Sequence, residues 1–235
     1  MPYSHAHREE SSSPRVSAWV FLAGTVLAAN AGYVNSVMLA SFQLAVSHVS
    51  GSISRLGIDL VGHQVVDFKL ILSNLLGFLL GAMLCGLLIR GTKLKPDFYY
   101  SVVLIIEAAL LALATFLIRQ KSFFAIPSAA MACGLQNAMA SSYYGLILRT
   151  THMTGIMTDI GVLLGHWIRN RKIVFWKLLL LISILSGFFS GGLLGAWAYS
   201  KHGLQALSYV ALACLLMSGV YFFWQKAKSK SLKLF

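Results

Sequence analysis

Apolar residues run along the chain in six long blocks, 16–46, 70–90, 98–118, 123–148, 173–199 and 205–225, separated by polar or basic stretches. A helix that is apolar all round belongs in a core or a bilayer, and about 20 such residues cross a membrane. The pattern predicts an all-α integral membrane protein with about six transmembrane helices. Two connections, 47–69 and 149–172, are too long for turns. They carry apolar residues at helical spacing: Ile53, Leu56, Leu60 and Val61 in the first, and Ile156, Ile160, Leu163, Leu164 and Trp167 in the second. Each such stretch covers about 14 residues and rises about 21 Å, short of the hydrocarbon core of about 30 Å. Half-helices are expected there, not spans.

Composition agrees. The 235 residues are 57% hydrophobic and 11% charged, with a mean hydropathy of +0.74. A soluble domain averages about 25% charged residues, so a soluble fold is excluded. The net charge of +12 would raise nucleic acid as a partner in a soluble protein. Here the basic residues lie between the blocks and at the C-terminus, which points to the lipid bilayer as partner and to no nucleic acid. With the N-terminus inside, thirteen Lys and Arg fall on the cytoplasmic side and five outside, leaving Lys177 within a span. That asymmetry predicts both termini in the cytoplasm. Residues 1–15 read as a disordered cytoplasmic tail, in which His5 and His7 are solvated, and 226–235 as a basic tail attracted to anionic lipid. A signal sequence cleaved near Ala29-Asn30-Ala31 is disfavoured, because the apolar run continues unbroken to Val46. Cys85, Cys133 and Cys214 sit inside apolar blocks without a C-x-x-C pair, so neither a disulfide framework, a metal site nor a cofactor is indicated.

An internal repeat organises the chain. GYVNSV at Gly32–Val37 pairs with GLQNAM at Gly134–Met139, and SHVSGSISRLG at Ser47–Gly57 pairs with THMTGIMTDIG at Thr151–Gly161. Gly77, Phe78 and Gly81 then match Gly187, Phe188 and Gly191. Three spans plus one half-helix per copy is an odd number of crossings, so the second copy enters the membrane from the opposite side. The expectation is two inverted-topology three-helix repeats, 16–121 and 122–225, each with an extra half-helix. Secondary transporters are often built this way, with broken helices meeting near the midplane. The strings AGYVNSVML with SHVSGSISRLG, and GLQNAM with RTTHMTGIMTDIG, resemble the YoaK-type family of bacterial multi-pass membrane proteins. Where copies of that family often carry Asn after the first S/T-G, this chain has Ser52. The resemblance implies a multi-pass bacterial membrane protein, expected in the cytoplasmic (inner) membrane, and supplies no substrate.

His48-Val49-Ser50-Gly51 and His152-Met153-Thr154-Gly155 each read as a helix start capped by Ser50 or Thr154. Such an end favours anions, whereas the plain reading is a cap with the histidines on nearby carbonyls. Arg55 and Asp159 occupy the same place in the two copies with opposite charge, and are expected to pair if both half-helices reach inward, with Asp59 and His63 as further members. Glu107, the lone acid well inside a span, is a candidate for proton coupling or a partner for Arg149, the alternative being a purely structural hydrogen bond to a neighbouring helix. Asn35 and Asn137 lie on faces of small residues, Ala28 and Gly32 or Ala130, Gly134 and Ser141, and serve packing or solute contact. Nothing resembles a P-loop, G-x-S-x-G or H-E-x-x-H, so no enzyme is expected. Two functions remain: a small inverted-repeat transporter or channel for a small anionic solute, bound by His48, Ser50, Gly51, Arg55, Asn35, Asn137, His152, Thr154, Gly155 and Asp159, or a non-transporting scaffold or assembly factor in which the motifs only pack. Small-residue faces permit a homodimer.

Overall fold

A computed structural model describes residues 18–63, 65–89, 98–142, 149–170 and 173–231. Among these, every regular element is helical: α1 (Ala18–Phe42), α2 (Val49–Val61), α3 (Val65–Leu88), α4 (Tyr99–Arg119), α5 (Ala125–Ser141), α6 (Met153–Asn170), α7 (Phe175–His202) and α8 (Ala206–Ser231), with one 3₁₀ turn before α8. Four stretches are long and apolar enough to cross a membrane: Ala18–Phe42, Phe68–Leu88, Tyr99–Arg119, and Phe175–Ala227, which takes in both α7 and α8. The chain is therefore a helical membrane protein. Its exposed surface is rich in Leu, Phe, Ile and Trp, such as Leu79, Phe116, Phe189 and Leu216.

The six apolar blocks coincide with α1, α3, α4, α5, α7 and α8, and the two amphipathic connections with α2 and α6. Two boundaries differ from expectation. At 18 residues, α6 rises about 27 Å at 1.5 Å per residue, nearly the length of a span. Its polar residues, Thr154, Asp159 and His166, keep its hydropathy below that of the spans. The chain from 226 onward is not simply a tail, since α8 stays helical to Ser231. The expected tail at 1–15 lies outside the described residues.

Glycines set the helix packing. The most extensive contacts are α1 with α7 and α3 with α5, and both are backbone-to-backbone approaches. A Cβ on Gly187 would lie 2.5 Å from the Thr25 carbonyl oxygen, and one on Gly77 2.5 Å from that of Pro127. Added at Gly191 it would collide with the Ala29 carbonyl, at Gly81 with that of Met131, at Gly32 with that of Phe188, and at Gly134 with that of Phe78. These six contacts form three pairs, and each pair joins positions that the internal repeat aligns. Their order fixes direction. Gly187, Gly191 and Gly195 meet Thr25, Ala29 and Tyr33 in turn, so α1 and α7 run parallel, and Gly77 and Gly81 meet Pro127 and Met131, so α3 and α5 do too. By contrast, α4 and α8 run antiparallel: the Ser218 hydroxyl donates to the Ser101 carbonyl at 2.9 Å, and Tyr100 packs on Tyr221 with ring centroids 6.0 Å apart.

Candidate functional site

The chain leaves α1 through Gln43, whose φ of 52° ends the helix. It then turns back along the helix it has just left. The Ser47 hydroxyl donates to Asn35 Oδ1 at 2.8 Å, and Asn35 lies seven residues before the end of α1. His48 follows, with its ring stacked on Phe188 at a centroid distance of 6.1 Å and an interplanar angle of 19°. Phe188 is the fourteenth of the 28 residues of α7. The start of α2 is thus level with the middle of a full-length apolar helix.

The second copy repeats the arrangement. The Thr151 hydroxyl donates to Asn137 Oδ1 at 3.2 Å, and α6 begins two residues later. Ser47 and Thr151, like Asn35 and Asn137, are aligned positions of the repeat. In both copies an asparagine on the first helix therefore anchors the segment that leads into the shorter helix.

The caps differ from expectation. Helix α2 begins at Val49 with His48 at the N-cap and no side-chain cap hydrogen bond. The His48 carbonyl accepts from the Ser52 amide at 3.2 Å, and the His152 carbonyl from the Ile156 amide at 3.1 Å. Each histidine, two residues before Ser50 or Thr154, thus closes the first helical turn. Ser50 and Thr154 lie inside the first turn and are exposed. Burial of Ser47 and anchoring by asparagine fix where each helix starts, which overrides the capping preference of Ser and Thr. The two histidines then diverge. The His48 ring reaches α7, leaving open space beside Gly51, whereas a Cβ on Gly155 would strike the His152 ring.

Arg55 and Asp159 are both exposed and no ion pair joins them. Arg55 Nη1 donates to the Gln43 carbonyl at 3.4 Å, clipping α2 to the reversal after α1. The reason for the separation is topological, since α2 packs on α3 and α6 on α7, and the two half-helices do not pack on each other. Glu107 is fully buried on α4, hydrogen-bonded to the Cys214 thiol of α8, with one carboxyl oxygen unpartnered. The Asn30 amide donates to Cys214 Sγ at 3.6 Å and to Met217 Sδ at 3.2 Å, which completes a polar knot in the middle of the bundle. Arg149 is exposed and is not its partner.

One group escaped notice in the sequence. Asn74 of α3, wholly buried, donates through Nδ2 to Ser52 Oγ at 3.4 Å. Ser52 and Asp59 are the buried residues of α2, seven apart and so on one face. The available signal was a lone amide in the apolar run LILSNLLGFLL, aligned with Ile184 in the second copy. Elsewhere, a cavity of about 340 Å³ opens between α1, α4, α5 and α8, with Trp19, Leu27, Leu104, Met139 and Tyr221 among its almost wholly apolar lining. Of the repeat strings it contains Met139 alone, and none of the half-helix residues.

Residues 23–220 match the model of a family described as protein of unknown function, DUF1275. The chain belongs to this family. Its match begins within α1 and ends within α8, so it covers all eight helices at least in part and is compatible with the YoaK-type resemblance. No curated protein and no solved structure matches the chain.

Proposed function

We propose that the protein is a small transporter or channel of the bacterial cytoplasmic membrane, built from two inverted three-span repeats with both termini cytoplasmic. The solute is small and anionic and moves with protons. The observation that carries this reading is the level of the α2 start, where the uncapped N-terminus and His48 lie beside the middle of α7. A helix start carries about half a positive charge and outward-pointing amides, and in a bilayer such a broken element is tolerated only where it is buried in protein or lines a water-filled cavity. The inverted arrangement is supported by the paired glycine contacts and by the helix directions: α1 parallel to α7, α3 parallel to α5, and α4 antiparallel to α8. In this reading α5, at 17 residues, is a sixth, short crossing, and Asn35 and Asn137 hold the two half-helix starts in place.

The scaffold reading requires polar groups at these starts to be satisfied within the protein. His48 Nε2, Asn74 Oδ1 and Asp59 Oδ2 are buried without a hydrogen-bond partner, which favours a path over a dry packing seam. The test is flux in proteoliposomes holding a pH-sensitive dye, exposed in turn to gradients of chloride, nitrate, formate, acetate and phosphate. Wild-type protein should move at least one anion and acidify the lumen, and Asn35→Ala should slow both. If no anion gradient drives flux above empty vesicles, the transport reading is lost.

A further inference from the structure

The two half-helix hairpins share a backbone plan but not a chemistry. In the first, the α2–α3 seam contains Ser52 bonded to Asn74, with Asp59 two turns further along the buried face of α2. In the second, the aligned positions are Ile156, Ile184 and Leu163, and Ile156 and Ile184 sit in one apolar cluster with Val20, Ala28 and Leu180. A hydrogen-bonded polar pair in one half is therefore an aliphatic pair in the other. Three atoms of the polar seam, His48 Nε2, Asn74 Oδ1 and Asp59 Oδ2, are buried and lack a protein partner. Buried polar groups are almost always hydrogen-bonded, and where protein supplies nothing, ordered water does.

We propose that the α2–α3 seam is a hydrated half-path that carries water and protons between the outer end of α2 and His48 at mid-depth, while the α6–α7 seam is sealed. Its geometry suits the task. From His48 to Asp59 is eleven residues, a rise of about 16 Å at 1.5 Å per residue, half of a hydrocarbon core of about 30 Å. Asp59 sits nearest the α2–α3 turn, Ser52 and Asn74 lie between, and His48 closes the inner end against Phe188. The other charged residues of the two helices are Arg55 and Lys69, both exposed, and Asp67 at the first turn of α3. Every unpartnered atom of the seam belongs to a side chain able to accept a hydrogen bond, which fits water and hydrated protons and not an anion. The inference rests on the transport reading for its purpose, since it gives the proton a route separate from the uncapped helix start.

The test introduces single cysteines at Ser52, Asn74, Ile156 and Ile184 of the full chain, with Cys85, Cys133 and Cys214 changed to alanine. A membrane-impermeant, permanently cationic methanethiosulfonate is applied from each side in turn. Because thiolates react and thiols in dry apolar surroundings do not, Ser52→Cys and Asn74→Cys should label at least roughly tenfold faster than Ile156→Cys and Ile184→Cys. Labelling should come only from the side of the α2–α3 turn. Equal rates in the two halves, or no labelling of either seam, overturns the half-path. The Ser52→Ile, Asn74→Ile double variant gives the first seam the aliphatic pair of the second; it should elute as the wild type on size exclusion and lose proton entry by roughly tenfold, the pair being replaced as a unit so that the fold is kept. Persistent proton entry in that variant also overturns the proposal. Labelling of the first seam without proton flux in the wild type would uphold a hydrated path and sink the transport reading.

Discussion

The glycine contacts yield the sharpest test of how the bundle is held. A Cβ on Gly187 or Gly77 would stand 2.5 Å from a facing carbonyl oxygen, where real Cβ contacts essentially never fall below 3.0 Å. The facing atoms are backbone, so no side chain can rotate away and the helices themselves must part by at least half an ångström. At Gly191 and Gly81 the approach is closer still. Forcing such a shift in a close-packed interface costs about 1–3 kcal/mol, and it is opposed by a helix-propensity gain of up to about 1 kcal/mol for Gly→Ala. Gly81→Ala and Gly191→Ala should therefore each destabilise the protein, by about 1–2 kcal/mol after that gain. Gly86→Ala and Gly219→Ala, where nothing lies within 4 Å of the added carbon, should be neutral or stabilise by up to about 1 kcal/mol. Reversible unfolding in mixed detergent micelles, followed by far-UV circular dichroism, measures all four. Gly81 and Gly191 belong to different interfaces, so their combined effect should add to within about 0.5 kcal/mol. If Gly191→Ala proves as harmless as Gly219→Ala, the backbone contact between α1 and α7 is wrong, and with it the parallel register that supports the inverted plan.

Asn35→Ala and Asn137→Ala should both lower stability in the same unfolding assay, Asn35 by about 1–3 kcal/mol because it leaves the buried Ser47 hydroxyl without its acceptor. Asn137 is only half-buried and its bond is longer, 3.2 Å against 2.8 Å, so its effect should be smaller; the opposite order would contradict the structure. Arg55→Asp and Asp159→Arg should act independently, and the double variant should equal the sum of the singles to within about 0.5 kcal/mol. Rescue by the double would show a charge pair that the packing of α2 and α6 on separate helices does not permit.

Much of this architecture is legible in the sequence, because it depends on residue types that leave few choices. The aligned glycines became aligned backbone contacts, since only glycine admits a carbonyl at that distance. The aligned asparagines became aligned anchors, because the repeat preserved both the amide and the hydroxyl that meets it, Ser47 or Thr151. What was hidden depended on which elements touch. Arg55 and Asp159 look like partners on alignment alone, yet aligned positions can meet only when their helices pack on each other, as α4 and α8 do and α2 and α6 do not. The N-caps were misplaced for a related reason. Capping preference is worth about 1 kcal/mol, which cannot hold a helix start against a buried hydrogen bond and ring packing two residues earlier. The Ser52–Asn74 pair spans 22 residues, and no local pattern indicates that a serine on a half-helix will find an amide inside the next span.

The divergence between the halves follows a rule that bears on function. Where the two copies agree, at Gly32 and Gly134, Gly77 and Gly187, Gly81 and Gly191, the contact is with backbone and admits no larger residue. Where they differ, at Ser52 and Ile156 and at Asn74 and Ile184, the contact is between side chains and can be made in either chemistry. The aliphatic version already exists in the second half, where Ile156 and Ile184 share one apolar cluster, and the unpartnered Thr150 Oγ1 of that hairpin lies before α6 and not on its packed face. A bundle whose halves served packing alone would gain by using it twice, because each buried polar atom left without a partner costs about 1–3 kcal/mol. The first half instead places such atoms on three residues along one seam. Packing energetics give no reason for that choice, whereas a path that must admit water to mid-depth from one side, and exclude it from the other, requires an asymmetry of this kind.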